Sequence, residues 1–404
     1  MIRHGTARFS VAIALGVLGA VLSACSSDAP IPSASSDVLP PAQAVADANG
    51  SWATILMGHL DDPLNTFGEL LYRPGGPTCP GAAPCAPADW ALATPPGVAS
   101  NGGLFAAVDS SGTVTAGFGV TLDLRFSPLA QSSDAGATWS PGILPAGLVP
   151  VTDALAASGP DRLALASAGG GQVLTASGDL STWSVLAKGT AIDAGARRAG
   201  CTPGALTAVA VTATGDDLAA AVCTSGRRAG VFRVGSGGRA GVMTPLGPTL
   251  PGSVTGPIRV DRLVSTSTGL SALVEAGSGS STRLFLATST DGALTWSVSS
   301  PFATEGTTVS ASVDDSGTMV VVVARGNRLT AAVGAPGAPW VTLPAPPRGT
   351  SVVVSGPTGS YSALIPSGST LTVDVLSGGR WAHHQTMAVP IQYGSTSAGG
   401  GASG

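Results

Sequence analysis

Lysine is almost missing from this chain: Lys188 stands alone among 19 basic residues. Only 10% of the 404 residues are charged, only 4% are aromatic, and there are four histidines. With one lysine there is no P-loop, and no G-x-S-x-G nucleophile elbow occurs. Scarce aromatics leave few platforms on which sugars or bases could stack. A net charge of -4 argues against nucleic-acid binding through bulk charge. No apolar run reaches the ~20 residues that a membrane helix needs, so the mean hydropathy of +0.36 reflects short Val and Ala strands. No amphipathic helix of useful length is visible. Gly235-Ser236-Gly237-Gly238-Arg239-Ala240 mimics a dinucleotide fingerprint but falls in a hairpin, and no cofactor is expected.

The amino terminus carries Arg3 and Arg8, then an uncharged stretch from Val11 to Leu22 ending in Leu22-Ser23-Ala24-Cys25. A basic end, a short apolar run and small residues before a cysteine read as a secretory signal over residues 1–24. The lipobox resemblance implies a thioether-linked lipid on Cys25. Residues 25–50 then read as a disordered tether of Ser, Ala, Pro and Asp with no aromatic. Loss of Arg3 and Arg8 leaves 17 basic residues against 23 acidic ones.

Besides Cys25 there are four cysteines, an even number in an exported chain. Cys79 with Cys85 and Cys201 with Cys223 is the most local of three connectivities. Neither pair has C-x2-C spacing and no histidine lies near either, so no metal site is expected there.

One pattern recurs. Ser132-Ser133-Asp134-Ala135-Gly136-Ala137-Thr138-Trp139 is echoed by Ser289-Thr290-Asp291-Gly292-Ala293-Leu294-Thr295-Trp296 and, shortened, by Ser177-Gly178-Asp179-Leu180-Ser181-Thr182-Trp183. It fades to Gly337-Ala338-Pro339-Trp340 and Gly378-Gly379-Arg380-Trp381. The chemistry is that of a turn. Asp134 can accept backbone N–H groups two residues on, Gly136 supplies a positive φ, and Thr138 and Trp139 open the next strand. In the second copy Ala293 stands where glycine is wanted, which leaves that turn's geometry open. The pattern resembles the Asp-box of sialidases, sortilin-type receptors and a photosystem assembly factor, all β-propellers, and the resemblance implies a structural role for Ser132, Asp134, Gly136, Thr138, Trp139, Ser289, Asp291, Thr295 and Trp296.

From Ser51 onward the chain reads as short strands bounded by Gly, Pro, Asp and Ser. Outer strands are expected near Trp90, Trp139, Trp183, Gly241, Trp296, Trp340 and Trp381, in steps of 49, 44, 58, 55, 44 and 41 residues. That spacing suits the ~40 to 50 residues of a propeller blade. The expectation is an all-β, seven-bladed propeller of four-stranded blades over residues 51–394, with a loose tail at 395–404. The first blade lacks an inner strand, and Ala388 to Tyr393 is expected to supply it and so close the ring.

Alternating strand direction sorts the loops onto two faces. One face collects Lys188, Arg197, Arg198, Arg227, Arg228, Arg325, Arg328 and Arg348 against Asp61, Asp62, Asp193, Glu275 and Glu305. The other collects Asp109, Asp161, Asp216, Asp217, Asp314 and Asp315, all explicable as turn residues. A Cys201–Cys223 bridge would hold Arg197-Arg198 beside Arg227-Arg228, a candidate anion site. On the same face, His59, Asp61, Asp62 and Asn65 either ligate a cation or hydrogen-bond their loop to itself, the second being preferred.

The sialidase signature is not matched: Arg125-Phe126-Ser127-Pro128 is a distant echo of the Phe-Arg-Ile-Pro motif, and Tyr72, Tyr361 and Tyr393 lie far from a central pocket. His383 and His384 are strand neighbours pointing to opposite faces. The reading is therefore a non-catalytic binding or scaffold module, lipid-anchored on the extracytoplasmic side of the cell membrane. An unknown envelope protein or an anionic ligand is its expected partner, and a monomer is expected. Two alternatives stand: a sialidase-like glycoside hydrolase, which needs two facing carboxylates, and an assembly or stability factor for a membrane complex, by analogy of fold.

Overall fold

Turn residues every eight to twelve positions chop this chain into short strands that can pair only with their neighbours, and the backbone follows that instruction. The computed structural model describes residues 42–46, 49–62, 65–75, 88–95, 104–118, 129–139, 152–158, 161–166, 171–176, 180, 182–252, 254, 256–277, 282–356 and 359–391. These fall in the compact unit Leu39–Gly404, and none lies in the separate unit Met1–Val38. The signal segment, Cys25, Cys79, Cys85, Arg125, Ser177 to Asp179, Tyr393 and the tail at 395–404 lie outside the described residues.

Hydrogen bonding groups the strands into consecutive antiparallel meanders. The first holds β1 (Ala42–Ala46), β2 (Gly50–Gly58), β3 (Thr66–Pro74) and β4 (Ala91–Leu92). The second holds β5 (Leu104–Val108), β6 (Val114–Phe118) and β7 (Leu129–Ser132). The third is β8 (Thr152–Ser158), β9 (Asp161–Ala166), β10 (Gln172–Ala176) and β11 (Trp183–Lys188). After helix α1 (Gly189–Arg198) comes the fourth, β12 (Pro203–Val211), β13 (Asp216–Cys223), β14 (Gly230–Ser236) and β15 (Arg239–Pro245). The fifth is β16 (Ile258–Thr266), β17 (Gly269–Ala276), β18 (Thr282–Ser289) and β19 (Ser297–Val298), with β20 (Phe302–Thr304) also on β18. The sixth is β21 (Thr307–Val313), β22 (Met319–Arg325), β23 (Arg328–Gly334) and β24 (Val341–Thr342). The seventh is β25 (Val352–Ser355), β26 (Tyr361–Ser367), β27 (Thr370–Ser377) and β28 (Arg380–Ala388). β22 reads Met-Val-Val-Val-Val without polar alternation because sheets cover both of its faces, and all five side chains are buried.

Three expectations are corrected. Residues 25–50 do not form a uniform tether, because Ala42–Ala46 is strand β1. Alanine-rich and too plain to look like a strand, it is held by backbone bonds to β2 on one edge and, in parallel, to β21 on the other. It is β1, not Ala388 to Tyr393, that lies inside β2. The carboxyl-terminal segment instead extends β28, with Val389 N donating to Ser369 O (2.8 Å) and its side chain buried beside Trp90. Finally, Gly189–Arg198 is helical. Ile192 and Ala196, one turn apart, are buried, while Arg197 and Arg198 occupy the last turn, where the helix dipole favours cations.

The two full S-x-D-x-x-x-T hairpins share one hydrogen-bond net. Asp134 Oδ1 accepts Ser132 Oγ (2.8 Å) and Thr138 N (2.9 Å), while Asp134 Oδ2 accepts Thr138 Oγ1 (2.5 Å). Asp291 does the same with Ser289 Oγ (2.9 Å), Thr295 N (2.9 Å) and Thr295 Oγ1 (2.5 Å). The bonded backbone N–H is therefore four residues on, not two. Those donors, the threonine hydroxyl first, hold each carboxyl down at about 2. Ala293 resolves the open turn by taking a φ of 71° itself, beside Gly292 at 70°, just as Ala135 at 60° precedes Gly136 at 86°. Gly136 has a second constraint: a Cβ there would stand 2.9 Å from Ala93 Cβ of the first meander.

The tryptophans after these turns fasten each meander to the one before. Trp139 packs with Trp52, Leu70 and Ala93. Trp296 Nε1 donates to Leu246 O (2.9 Å), Trp340 Nε1 to Ser299 Oγ (3.2 Å) and Trp381 Nε1 to Pro344 O (3.1 Å). Trp90 joins the first meander to the seventh: its backbone is clamped by the Gln385 amide (2.9 and 2.8 Å), and its ring packs on Val352, Val354 and Leu364.

Cys201 and Cys223 form a disulfide across 22 positions, tying the start of β12 to the end of β13. Closing a loop of that size constrains the unfolded chain by about 3 kcal/mol. Cys201→Ser/Cys223→Ser should therefore lower the denaturation free energy by about that much. A variant as stable as the oxidised protein in urea would show that the bridge adds no stability.

Candidate functional site

The first strands of the first five meanders line a cavity. Its wall is built from Gln43 and Val45 of β1, 106–108 of β5, 154–157 of β8, 207–210 of β12 and 261–265 of β16. Successive antiparallel meanders whose first strands share one axis are the architecture of a β-propeller. Alanine and valine dominate the wall, so the strands approach closely and leave only about 70 Å³. That volume holds water, whereas organic ligands fill pockets of ~300 Å³ or more.

The polar part of this wall is concentrated on β16. Its pairing with β17 slips between Val260 and Arg262, which makes Asp261 the extra residue of a β-bulge. β12 slips equivalently around Thr207 and β21 around Val309. The bulge turns Asp261 and Arg262 both away from strict alternation and toward the axis. Arg262 donates from Nη1 to Gln43 Oε1, tying β16 to β1. Ser265 Oγ donates to Val211 O, tying β16 to β12. Arg259 reaches Asp261 through Nε and Glu275 through Nη2 (3.5 Å).

Burial pushes the Asp261 carboxyl up to about 7, against the pull of Arg259, and the negative charge and hydrogen bond of Glu275 push it the same way. Desolvation likewise draws the Arg262 guanidinium down to about 10. Asp261 thus holds its proton to higher pH than an ordinary carboxyl, beside Glu275 and over one arginine. Among the described residues, Asp261 Oδ2, Arg262 Nε and Thr207 Oγ1 are buried without a hydrogen-bond partner. A proton and a few waters are what such a site can hold. Two carboxyl groups that hydrogen-bond each other are also closer than the ~5 Å that a retaining glycosidase needs.

Sequence reasoning noted Glu275 but missed Asp261, Arg259 and Arg262. The available signal was Ile258-Arg259-Val260-Asp261-Arg262-Leu263, three charged residues on an innermost strand where the first strands of the other meanders carry at most one.

The arginine pairs lie on loops that the disulfide draws together. Arg197 and Arg198 end α1, while Arg227 and Arg228 sit in the turn from β13 to β14, and all four are exposed. The turn's Gly226, at φ 97°, presses on the helix end so closely that a Cβ there would stand 2.7 Å from Gly200 O. Ser225 Oγ adds a bond to Thr202 Oγ1 (2.8 Å). Arg227 is partly spent on Leu250 O (3.3 Å).

The His59 to Asn65 loop bonds to itself. Asn65 Nδ2 donates to Asp62 Oδ2 (2.6 Å), and Thr66 Oγ1 to His59 O (2.5 Å) and Asp62 O (2.9 Å). Asp61 is exposed at its tip. His383 and His384 face different carboxylates, Asp374 (3.6 Å) and Asp89 (3.1 Å). On the opposite face, Asp109 and Asp314 hold matching Asp-x-Ser-Gly-Thr turns through Ser111 and Thr113, and Ser316 and Thr318. Asp315 is not merely solvated: its carboxylate accepts Ser267 N (3.0 Å) of the neighbouring meander.

No protein-family model matches this sequence, and no curated protein does. Solved structures do resemble it. A protein from Lactobacillus plantarum aligns over 85% of this chain and 98% of its own at 10% identity, with a TM-score of 0.50. The fungal lectin of Aleuria aurantia, described as a six-bladed β-propeller, aligns over 77% of this chain and 97% of its own at 13% identity and TM-score 0.42. TolB from Acinetobacter baumannii aligns over 82% of this chain at 9% identity and TM-score 0.40, and the match spans 62% of TolB. Identities this low bear on fold alone.

Proposed function

We propose that the chain is a lipid-anchored, extracytoplasmic seven-bladed propeller that acts as a non-catalytic binding module, its seven meanders being the blades. It engages an anionic partner through the face that carries Arg197, Arg198, Arg227 and Arg228. The observation that carries this reading is the packing of the β13–β14 turn on the end of α1, next to the disulfide, which sets two exposed Arg-Arg pairs on adjoining loops. The Ala-lined axis, with its small cavity, turns attention from the interior to that surface.

Each exposed charge contributes only ~0.2 to 1 kcal/mol, so single replacements will be nearly silent. The variant Arg197→Ser/Arg198→Ser/Arg227→Ser/Arg228→Ser should bind immobilised polyglutamate at least about fourfold more weakly than the wild type in low salt, and should lose most of the salt dependence. If the folded variant elutes with the wild type, the arginine face is not an anion site.

A further inference from the structure

From the direction of β1 and the charge of the loops at its start, we infer that the arginine face is the membrane-facing side of the molecule and that its partner is an anionic lipid surface. The inference rests on the anionic-partner and lipid-anchor readings above and assigns them a common geometry.

β1 runs parallel to β21, with Ala42 opposite Ser310 and Val45 opposite Val313. It therefore shares the direction of the innermost strands, and the bond from Arg262 of β16 to Gln43 holds it at their level. These strands begin at the face where Pro203 pairs with Cys223 and Cys223 with Ile258. That is the face of the α1 terminus and of the β13–β14 turn. β1 thus begins on the side that carries the arginine pairs.

Cys25 is about 17 residues before Ala42. Such a leash spans at most ~60 Å, and as a flexible coil ~25 Å. Because β1 begins on this face, a lipid on Cys25 holds this face nearer the headgroups than the opposite one. Charge agrees with tethering. On this face Glu305 pairs with Arg325 and Glu275 with Arg259, which leaves Asp61, Asp62 and Asp193 against Lys188, Arg197, Arg198, Arg227, Arg228, Arg328 and Arg348. The opposite face carries the Asp109, Asp314 and Asp315 turns, which an anionic surface would repel. Basic residues near such a surface are attracted individually and additively within a Debye length.

The test removes the lipid so that the protein surface alone is read. Cys25→Ser protein without residues 1–24, the mature chain lacking its lipid, is sedimented with vesicles of phosphatidylcholine containing 30% phosphatidylglycerol, and with pure phosphatidylcholine, in ~50 mM and ~300 mM salt, ionic strengths that bracket weak and strong screening. Binding to the anionic vesicles alone, weakened by salt and reduced about tenfold or more in the four-arginine variant, is the expected result. Equal partition of the two proteins overturns the inference. Two failures are then distinguishable: arginine-dependent binding to polyglutamate without binding to anionic vesicles removes the membrane and keeps the anionic face, whereas loss of arginine dependence with both probes removes both.

Discussion

Arg73→Ala should destabilise the protein by about 3 kcal/mol and should do so at the seam between the first and seventh meanders. Arg73 is only 2% exposed. Its guanidinium donates to Ser362 Oγ (2.8 Å), Ser51 Oγ (3.0 Å) and Ser355 O (3.1 Å), and lies 4.9 Å over the Trp90 ring. Desolvation draws its pKa down to about 10, so burying the charge is itself unfavourable, and three hydrogen bonds with the aromatic face offset that cost. Alanine removes the charge but leaves two hydroxyls and a carbonyl without partners and opens a void beside Trp90. Arg73→Met keeps the volume and discards the charge, and should cost about 1 kcal/mol. Urea denaturation measures both changes. Amide exchange should locate the first at β3 and β25, and an alanine variant within about 0.5 kcal/mol of wild type would show that the seam does not depend on this residue.

How legible was this in the sequence? The fifth and sixth meanders were readable almost to the residue, because Gly, Asp and Ser punctuate strands whose alternation is clear. β21 (Thr307–Val313), for instance, runs between Gly306 and the Asp314-Asp315-Ser316-Gly317 turn. The tryptophan spacing located outer strands such as β11 and β28 for the same reason, since each turn precedes an indole that packs on its neighbours. Local chemistry of this kind is written locally. β1 was not legible, because Ala42-Gln-Ala-Val-Ala has no strand signature of its own and is defined by the two edges that receive it. α1 was hidden by its small buried stripe of Ile192, Gly195 and Ala196. The Asp261 cluster was half visible: the charges could be read, but their convergence depends on a bulge, and a one-residue slip in strand pairing leaves no mark in composition. Arg73 looked like any strand-end arginine, and its partners at Ser355 and Ser362 are nearly three hundred residues away.

Asp261→Asn should make the protein more stable at pH 8 while leaving its stability at pH 4 nearly unchanged. Asp261 has a folded pKa raised to about 7 from an ordinary value of 3.8, chiefly by burial, and its side chain is 14% exposed. Below pH ~4 both folded and unfolded chains hold the proton, and the group contributes no difference. Between pH ~4 and ~7 the unfolded chain releases it and the folded one retains it, so stability falls as pH rises through this window. Above ~7 the full penalty is present. A shift of this size taken alone is worth ~4 kcal/mol, but Asp261 interacts with both Arg259 and Glu275 and is not fully enclosed, so about 2 kcal/mol is expected. Asparagine cannot ionise, yet its amide can still donate to Glu275. The pairing with Arg259 that it gives up involves a half-exposed guanidinium that keeps its contact with Glu275 and so adds little. Urea titrations at pH 4, 6 and 8 should show the wild type losing stability toward pH 8 by more than the variant does. If the variant instead loses stability equally at every pH, Asp261 serves as an ordinary ionised partner of Arg259 and does not retain its proton toward neutral pH.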